Sequence, residues 1–384
     1  MKLVLIITDY GSFNNFLAEQ ALKMLEDKHE VYLITSGEKI INRADKYDFK
    51  AKGIKIINVD FPRNFNPYLH FKASKKIKNI LKKINPDLVH VHFTTGIFTT
   101  VFSGKPIYPT IGTFHGLGYP VLKGLKKIIF QLVEEYCFKR LDQIWLLNKM
   151  DYDLIKKKYD NKTFIYSSEG LGCDLDIFKP NNFDDLFKKA LRKELGIKEE
   201  DFVFAYIGRY VNFKGYHLTI ESFLNLSKKF SNIKLITMGG KDPIHPTGLS
   251  KEIEEELRVS ENIINIGFTH DIQKYLAISN LFVFPSFKEG MPVCVIEALA
   301  MEVPVVTTNS RGCNDLILNN YNGFLIEDYS NENELTNLLD YILNNKKVLD
   351  ELIINAKKDR FKYSRKLFVE EQMEEYLKLI NEVV

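Results

Sequence analysis

Two glutamates, Glu289 and Glu297, stand with seven residues between them in the run Phe282–Leu299, Phe-Val-Phe-Pro-Ser-Phe-Lys-Glu-Gly-Met-Pro-Val-Cys-Val-Ile-Glu-Ala-Leu. The run reads as a buried strand, a short loop and a helix. Glu289 falls in the loop at a Glu-Gly step and Glu297 about one turn into the helix. An ionised carboxylate accepts two hydroxyl donors at once, so Glu297 suits a ribose diol and Glu289 a second sugar. About 75 residues upstream, the segment Gly208-Arg209-Tyr210-Val211-Asn212-Phe213-Lys214-Gly215 sets a guanidinium and an ammonium five residues apart. Two cations from one loop can converge on a diphosphate, Arg209 by fork-like hydrogen bonds and Lys214 as a point charge. Gly239 and Gly240 permit close backbone approach after the next strand. Gly290, with Met291, Pro292 and Val293, opens a helix whose first N–H groups face an anion. The ligand these residues suit is hydroxyl-rich and phosphate-bearing. Taken alone, the two carboxylates could equally form an acid–base pair.

The elements that must hold these groups alternate along the whole chain. Strand-like apolar runs cover 3–8, 30–35, 88–92, 107–114 and 143–147, then 202–207, 234–238, 263–266, 281–285 and 304–307. Many are near-continuous Val, Ile, Leu and Phe, as in parallel strands covered on both faces. Amphipathic stretches such as 16–26, 216–230 and 335–343 lie between them. This is βαβ alternation twice over, and it predicts two doubly wound α/β domains. A connector with two glycines and a proline, Gly170–Pro180, predicts domains over 1–172 and 173–364.

With 384 residues the chain is long enough for two cores, and 45% apolar with 27% charged residues is ordinary for a globular protein. No apolar stretch is long enough to cross a bilayer, and the start, Met1–Asp9, reads as a first strand rather than a signal peptide. Cys137, Cys173, Cys294 and Cys313 are scattered, which predicts a reducing, cytoplasmic setting with neither disulfides nor a zinc site. Residues 1–180 hold 28 basic and 19 acidic side chains, a net +9, against −6 for the remainder. Lys72–Lys83 and Lys123–Lys127 concentrate the positive charge, which fits a solvated face or an anionic membrane surface. No stacking aromatics or recognition helix accompany it, so nucleic acid is not an expected partner.

These motifs together resemble the retaining GT-B glycosyltransferases of glycosyltransferase family 4. The resemblance rests on Gly208-Arg209 with Lys214-Gly215, Gly267-Phe268-Thr269 with Asp271, and Phe284-Pro285-Ser286 with Glu289-Gly290-Met291-Pro292 and Glu297-Ala298. Gly312-Cys313 with Asn322-Gly323-Phe324-Leu325 extends it, and in the first half Pro86–His92 and Thr113–Gly118 match too. The His-Gly-Leu-Gly form at His115 is similar to a subgroup that builds capsule, O-antigen and related bacterial surface glycans.

The resemblance implies two Rossmann-like domains facing across a cleft, with a last helix, 365–384, returning to the first domain. It implies a donor that is a nucleotide diphosphate sugar, expected to be UDP-linked, and a lipid-linked sugar acceptor. Arg209 and Lys214 would bind the diphosphate, Glu297 the ribose and Glu289 the transferred sugar, with His115 approaching the sugar from the first domain. The loop after the first strand, with Gly11 and Ser12, would lie near the diphosphate and acceptor. Many relatives carry two glycines there and this chain has one. His90 and His92 read as structural. Asp151-Tyr152-Asp153 and Asp174-Leu175-Asp176 read as capping or solvated carboxylates, so no metal and no cofactor is expected. An epimerase of the same fold and a non-catalytic nucleotide-sugar-binding subunit stay open. A dinucleotide-dependent oxidoreductase is disfavoured, since no Gly-x-Gly-x-x-Gly follows the first strand.

Overall fold

The computed structural model describes residues 1–37, 48–62, 64–168, 170–329 and 331–383. Val384, the last residue of the expected terminal helix, lies outside them. The chain forms two compact units, Met1–Ser167 with Phe368–Val384, and Ser168–Leu367.

Among the described residues, the first unit holds a seven-stranded sheet in the order β3-β2-β1-β4-β5-β6-β7. Its strands are β1 Lys2–Ile6, β2 Glu30–Thr35, β3 Lys55–Asn58, β4 Leu88–His92, β5 Thr110–Phe114, β6 Gln143–Leu146 and β7 Thr163–Ile165. All pair in parallel. Leu3 to Ile6 are wholly buried, as a strand covered on both faces requires. β5 begins later than the apolar run predicts. Pro109 brings no ladder donor, and the Thr110 N–H goes instead to Asp142 Oδ2 at 2.9 Å. The expected helix 16–26 is two helices, Tyr10–Phe16 and Ala18–Glu26, meeting at Leu17. Asp9 caps the first, accepting from Ser12 N and Ser12 Oγ, both at 2.8 Å. Gly11 and Ser12 therefore lie in a helical first turn, not a loop. The last helix, Arg365–Val383, brings Tyr376 into this unit's core, stacked on Trp145 at 5.5 Å.

The second unit's six strands are ordered β10-β9-β8-β11-β12-β13. They are β8 Phe202–Tyr210, β9 Ile233–Lys241, β10 Ile263–Gly267, β11 Leu281–Phe284, β12 Val305–Thr308 and β13 Gly323–Ile326, again all parallel. β8 and β9 outrun their predicted ends. Gly208 pairs with Gly239 and Arg209 with Gly240, so these four residues end strands rather than open loops. Gly239 makes this possible: at φ +147, a Cβ there would lie 1.9 Å from the Gly208 carbonyl oxygen. The glycine is thus needed for strand-to-strand approach, while Gly240 faces open space. Strand order reverses between β8 and β11, the position where open parallel sheets bind ligands.

Candidate functional site

Three loops of the second unit are stitched together at that reversal. The Phe213 carbonyl accepts from Ser286 Oγ at 2.9 Å and from Phe287 N at 3.2 Å, tying the segment after β8 to the loop after β11. Gly215 ends the first segment with φ +70, and a Cβ there would meet the Pro285 carbonyl oxygen at 2.2 Å. The segment after β12 closes the other side. Arg311 Nε donates to the Glu289 carbonyl at 3.0 Å, and Ser310 Oγ donates to that of Ser286 at 2.9 Å. A Cβ on Gly312 would sit 2.5 Å from the Gly290 carbonyl oxygen, so only glycine fits against that turn.

Inside this frame Lys214 Nζ lies 2.5 Å from Glu289 Oε1, and Ser286 Oγ donates to the same oxygen at 2.7 Å. Glu289 is 8% exposed. The two residues read separately as a phosphate cation and a sugar-binding carboxylate thus form one ion pair. Arg209 Nη1 reaches Asp242 Oδ2 at 2.6 Å. Backbone N–H groups of Ile244 first, then the Arg209 guanidinium and His245, hold the Asp242 carboxyl well below the usual carboxylate range. Arg209 also lies 5.4 Å from the Phe213 ring, and Lys288 lies 5.6 Å from it. Glu297 is the fifth residue of the helix Val293–Ala300, which Pro292 precedes. Met291 is half-buried beside Gly170.

Sequence reasoning passed over Ser286, Asp242 and Arg311. Ser286 stood inside the quoted block, and its place three residues before Glu289 was the available signal. Nothing in the order of residues ties Arg311 to Glu289.

In the first unit His90 and His92 lie fully buried on β4, and His115 follows β5. Their rings adjoin, at 4.1 Å between His90 and His92 and 5.4 Å between His92 and His115. His90 Nε2 lies 2.6 Å from Thr113 Oγ1, and its Nδ1 pairs with the Tyr376 hydroxyl. His92 Nδ1 lies 3.1 Å from His115 Nε2. The turn after His115 rests on two wholly buried carboxylates. Leu117 N donates to Asp151 Oδ2 and Gly118 N to Glu134 Oε1, both at 2.9 Å. Asp151 is therefore neither solvated nor only a cap, as its run of neighbouring lysines had implied. Burial pushes the Glu134 carboxyl up.

Burial pushes His115 down to about 3 and His90 and His92 well below their ordinary value. All three are neutral at pH 7. Unfolding returns each to about 6.5, so below that pH the unfolded chain takes up protons that the native one refuses. The stability these groups confer is complete above about pH 6.5 and falls as the pH drops below it, for His115 until about pH 3. Urea melts should show lower stability at pH 5.5 than at pH 7.5, with His115 alone contributing on the order of 1 kcal/mol and His90 and His92 acting in the same direction. Equal midpoints would show that the cluster protonates without penalty.

Two family models match the chain, "Glycosyltransferase Family 4" over residues 14–162 and "Glycosyl transferases group 1" over residues 187–359. The chain is 26% identical over 375 residues, 94% of each chain, to the N,N'-diacetylbacillosaminyl-diphospho-undecaprenol alpha-1,3-N-acetylgalactosaminyltransferase of Campylobacter jejuni. It is 29% identical over 238 residues to the capsular polysaccharide biosynthesis glycosyltransferase CapM of Staphylococcus aureus, a match spanning 60% of each chain. Among solved structures, a Rickettsia africae glycosyltransferase superposes with a TM-score of 0.79 at 19% identity, covering 99% of this chain and 98% of that one. Anabaena Alr3699/HepE, solved with UDP and glucose, superposes with a TM-score of 0.77 at 17% identity, covering 98% and 99%.

Proposed function

This chain belongs to the GT-B glycosyltransferases of family 4, and from that premise we propose that it moves a hexosyl group from a UDP-sugar to a lipid-linked or oligosaccharide acceptor. We further propose that the anomeric configuration is kept and that no metal ion is needed. The general setting, polysaccharide or glycolipid biosynthesis, follows from the family and its relatives. The observation that carries the finer reading is the Lys214–Glu289 pair, held at the reversal of strand order by three interlocked loops. The Campylobacter relative is named for a diphospho-undecaprenol acceptor, and the Anabaena protein was solved with UDP and glucose, which supports the choice of substrate classes.

On this reading the donor diphosphate draws the Lys214 ammonium away from Glu289, and Arg209 supplies the second cation. Gly240, which faces open space at the end of the Gly208–Gly239 strand pairing, leaves room for backbone approach, and the turn Gly290–Val293 offers its N–H groups to the phosphates. Glu289 then accepts from hydroxyls of the transferred sugar, and Glu297 accepts from the ribose. His115, being neutral, meets the sugar as a hydrogen-bonding group rather than a charge. Gly11 and Ser12 lie toward the acceptor. The bond from the anomeric carbon to the phosphate oxygen breaks while one to the acceptor oxygen forms. The departing phosphate oxygen takes the acceptor proton on the same face of the sugar. Charge stabilisation by the cations and the helix terminus provides most of the catalysis. Calorimetric titration with UDP in excess EDTA tests the donor half: tight binding is expected, and binding only after magnesium is restored would contradict it.

The acceptor half invokes a lipid surface. The helix Gly124–Phe138 exposes Leu125, Ile128, Ile129, Phe130 and Leu132 by 43–72%, beside Lys123, Lys126 and Lys127. Pro67–Ile84 exposes Tyr68, Leu69 and Phe71 with Lys72, Lys75 and Lys76. No helix among the described residues is long and apolar enough to cross a membrane. Apolar rows flanked by lysines, in the half of the chain with net charge +9, fit an anionic leaflet on which the protein lies without spanning it. We place it on the inner face of the cytoplasmic membrane. The chain should co-sediment with anionic liposomes at low salt and lose that affinity when Leu125 and Leu132 are replaced by Asp. Absence of sedimentation at low salt would remove the idea.

A further inference from the structure

We propose that His92 sets the tautomer of His115, so that His115 presents Nδ1–H as a hydrogen-bond donor to an oxygen of the transferred sugar. This rests on the reading that His115 touches that sugar. His92 is 1% exposed, and its two ring nitrogens are unequal. Nδ1 lies 3.1 Å from His115 Nε2, whereas Nε2 is buried with no hydrogen-bond partner among the described residues. Both rings are neutral, so each carries one proton, and one proton lies between the facing nitrogens. If His92 carried its proton on Nε2, an N–H donor would be buried unsatisfied. Orphaned buried N–H groups are rarer than under-used acceptors. The proton therefore sits on His92 Nδ1 and is donated to His115 Nε2. His115, with Nε2 accepting, must hold its own proton on Nδ1.

The ring is fixed as well as its proton. Phe93 follows His92 directly and packs against His115 with ring centroids 4.3 Å apart, tilted by 34°, and Phe16 lies 5.9 Å away. Phe93 holds φ +65 and ψ 144, a conformation that is strained for a residue other than glycine. The strained turn out of β4 thus carries one ring that sets the proton and another that sets the plane. Among the described residues no protein group pairs with His115 Nδ1.

Long-range proton–nitrogen NMR correlation on the full chain with ¹⁵N-labelled histidine tests this, with His115→Asn assigning the signal. His115 should appear as a neutral Nδ1–H ring. His92→Leu should turn the ring toward Nε2–H and lower kcat about tenfold, one hydrogen bond's worth, with UDP affinity unchanged. His92→Asn, whose amide nitrogen takes the place of Nδ1–H, should recover most of that rate, and His92→Gln should not. A His115 signal of Nε2–H type in the unmutated chain overturns the proposal even if every His92 variant fails to fold. His115→Ala with full transfer rate would instead sink the reading that His115 meets the sugar.

Discussion

Glu289→Ala should lower the transfer rate by at least about 100-fold, the scale expected when a reacting group loses its positioning contact. UDP affinity should hold or rise. The Glu289 carboxylate holds Lys214 Nζ at 2.5 Å, so binding a diphosphate competes with that ion pair. Removing the carboxylate frees the ammonium for the phosphates and removes the sugar's hydroxyl acceptor at one stroke. The two effects fall on different constants: kcat drops while Kd for UDP does not worsen. Steady-state kinetics with calorimetry on the same preparation separates them. A Glu289→Ala protein turning over at the original rate would end the role assigned to this residue.

Lys214→Ala should do the reverse and cost stability as well. A charge-assisted contact to phosphate contributes about 1.5–3 kcal/mol, so UDP should bind roughly 10- to 100-fold more weakly. The variant also leaves Glu289, 8% exposed, without its cation. Breaking a buried pair from one side destabilises by on the order of 3 kcal/mol, because the remaining charge stays buried. Lys214→Ala/Glu289→Ala should therefore be more stable than Lys214→Ala alone, the sign of a direct coupling. Arg209 makes a contrast: its side chain is 52% exposed, and its partner Asp242 keeps backbone donors, so Arg209→Ala should weaken UDP binding with little effect on stability. Additive losses in the Lys214/Glu289 pair would show that their contact carries no energy.

The two α/β units with all-parallel sheets were legible because their strands are continuous apolar runs too short for helices, separated by amphipathic stretches. Strand ends were harder to read. Gly208 and Gly239 look like loop residues, yet here glycine is what allows two backbones to keep pairing. Gly11 and Ser12 looked like a loop because the capping role of Asp9 shows only once its oxygens meet Ser12. The chemistry of Lys214 and Glu289 could be read from residue type and spacing, but not their mutual contact, since 75 positions separate them. The supporting groups were less visible still. Asp151, Glu134 and Arg311 are charged residues that act by meeting backbone groups distant in sequence, and composition and periodicity carry no trace of that. His92 alternates with His90 along a buried strand, so nothing in the order of residues distinguishes a structural imidazole from one that faces His115.

Transfer itself is the most direct test. The chain is incubated with a panel of UDP-hexoses and undecaprenyl-diphosphate-linked sugars, and both lipid and nucleotide products are followed by mass spectrometry. One hexosyl unit should appear on the lipid-linked acceptor, with stoichiometric UDP release, only when both substrates are present. An altered nucleotide sugar formed from the donor alone, or UDP-sugar binding without turnover on any acceptor, would contradict it.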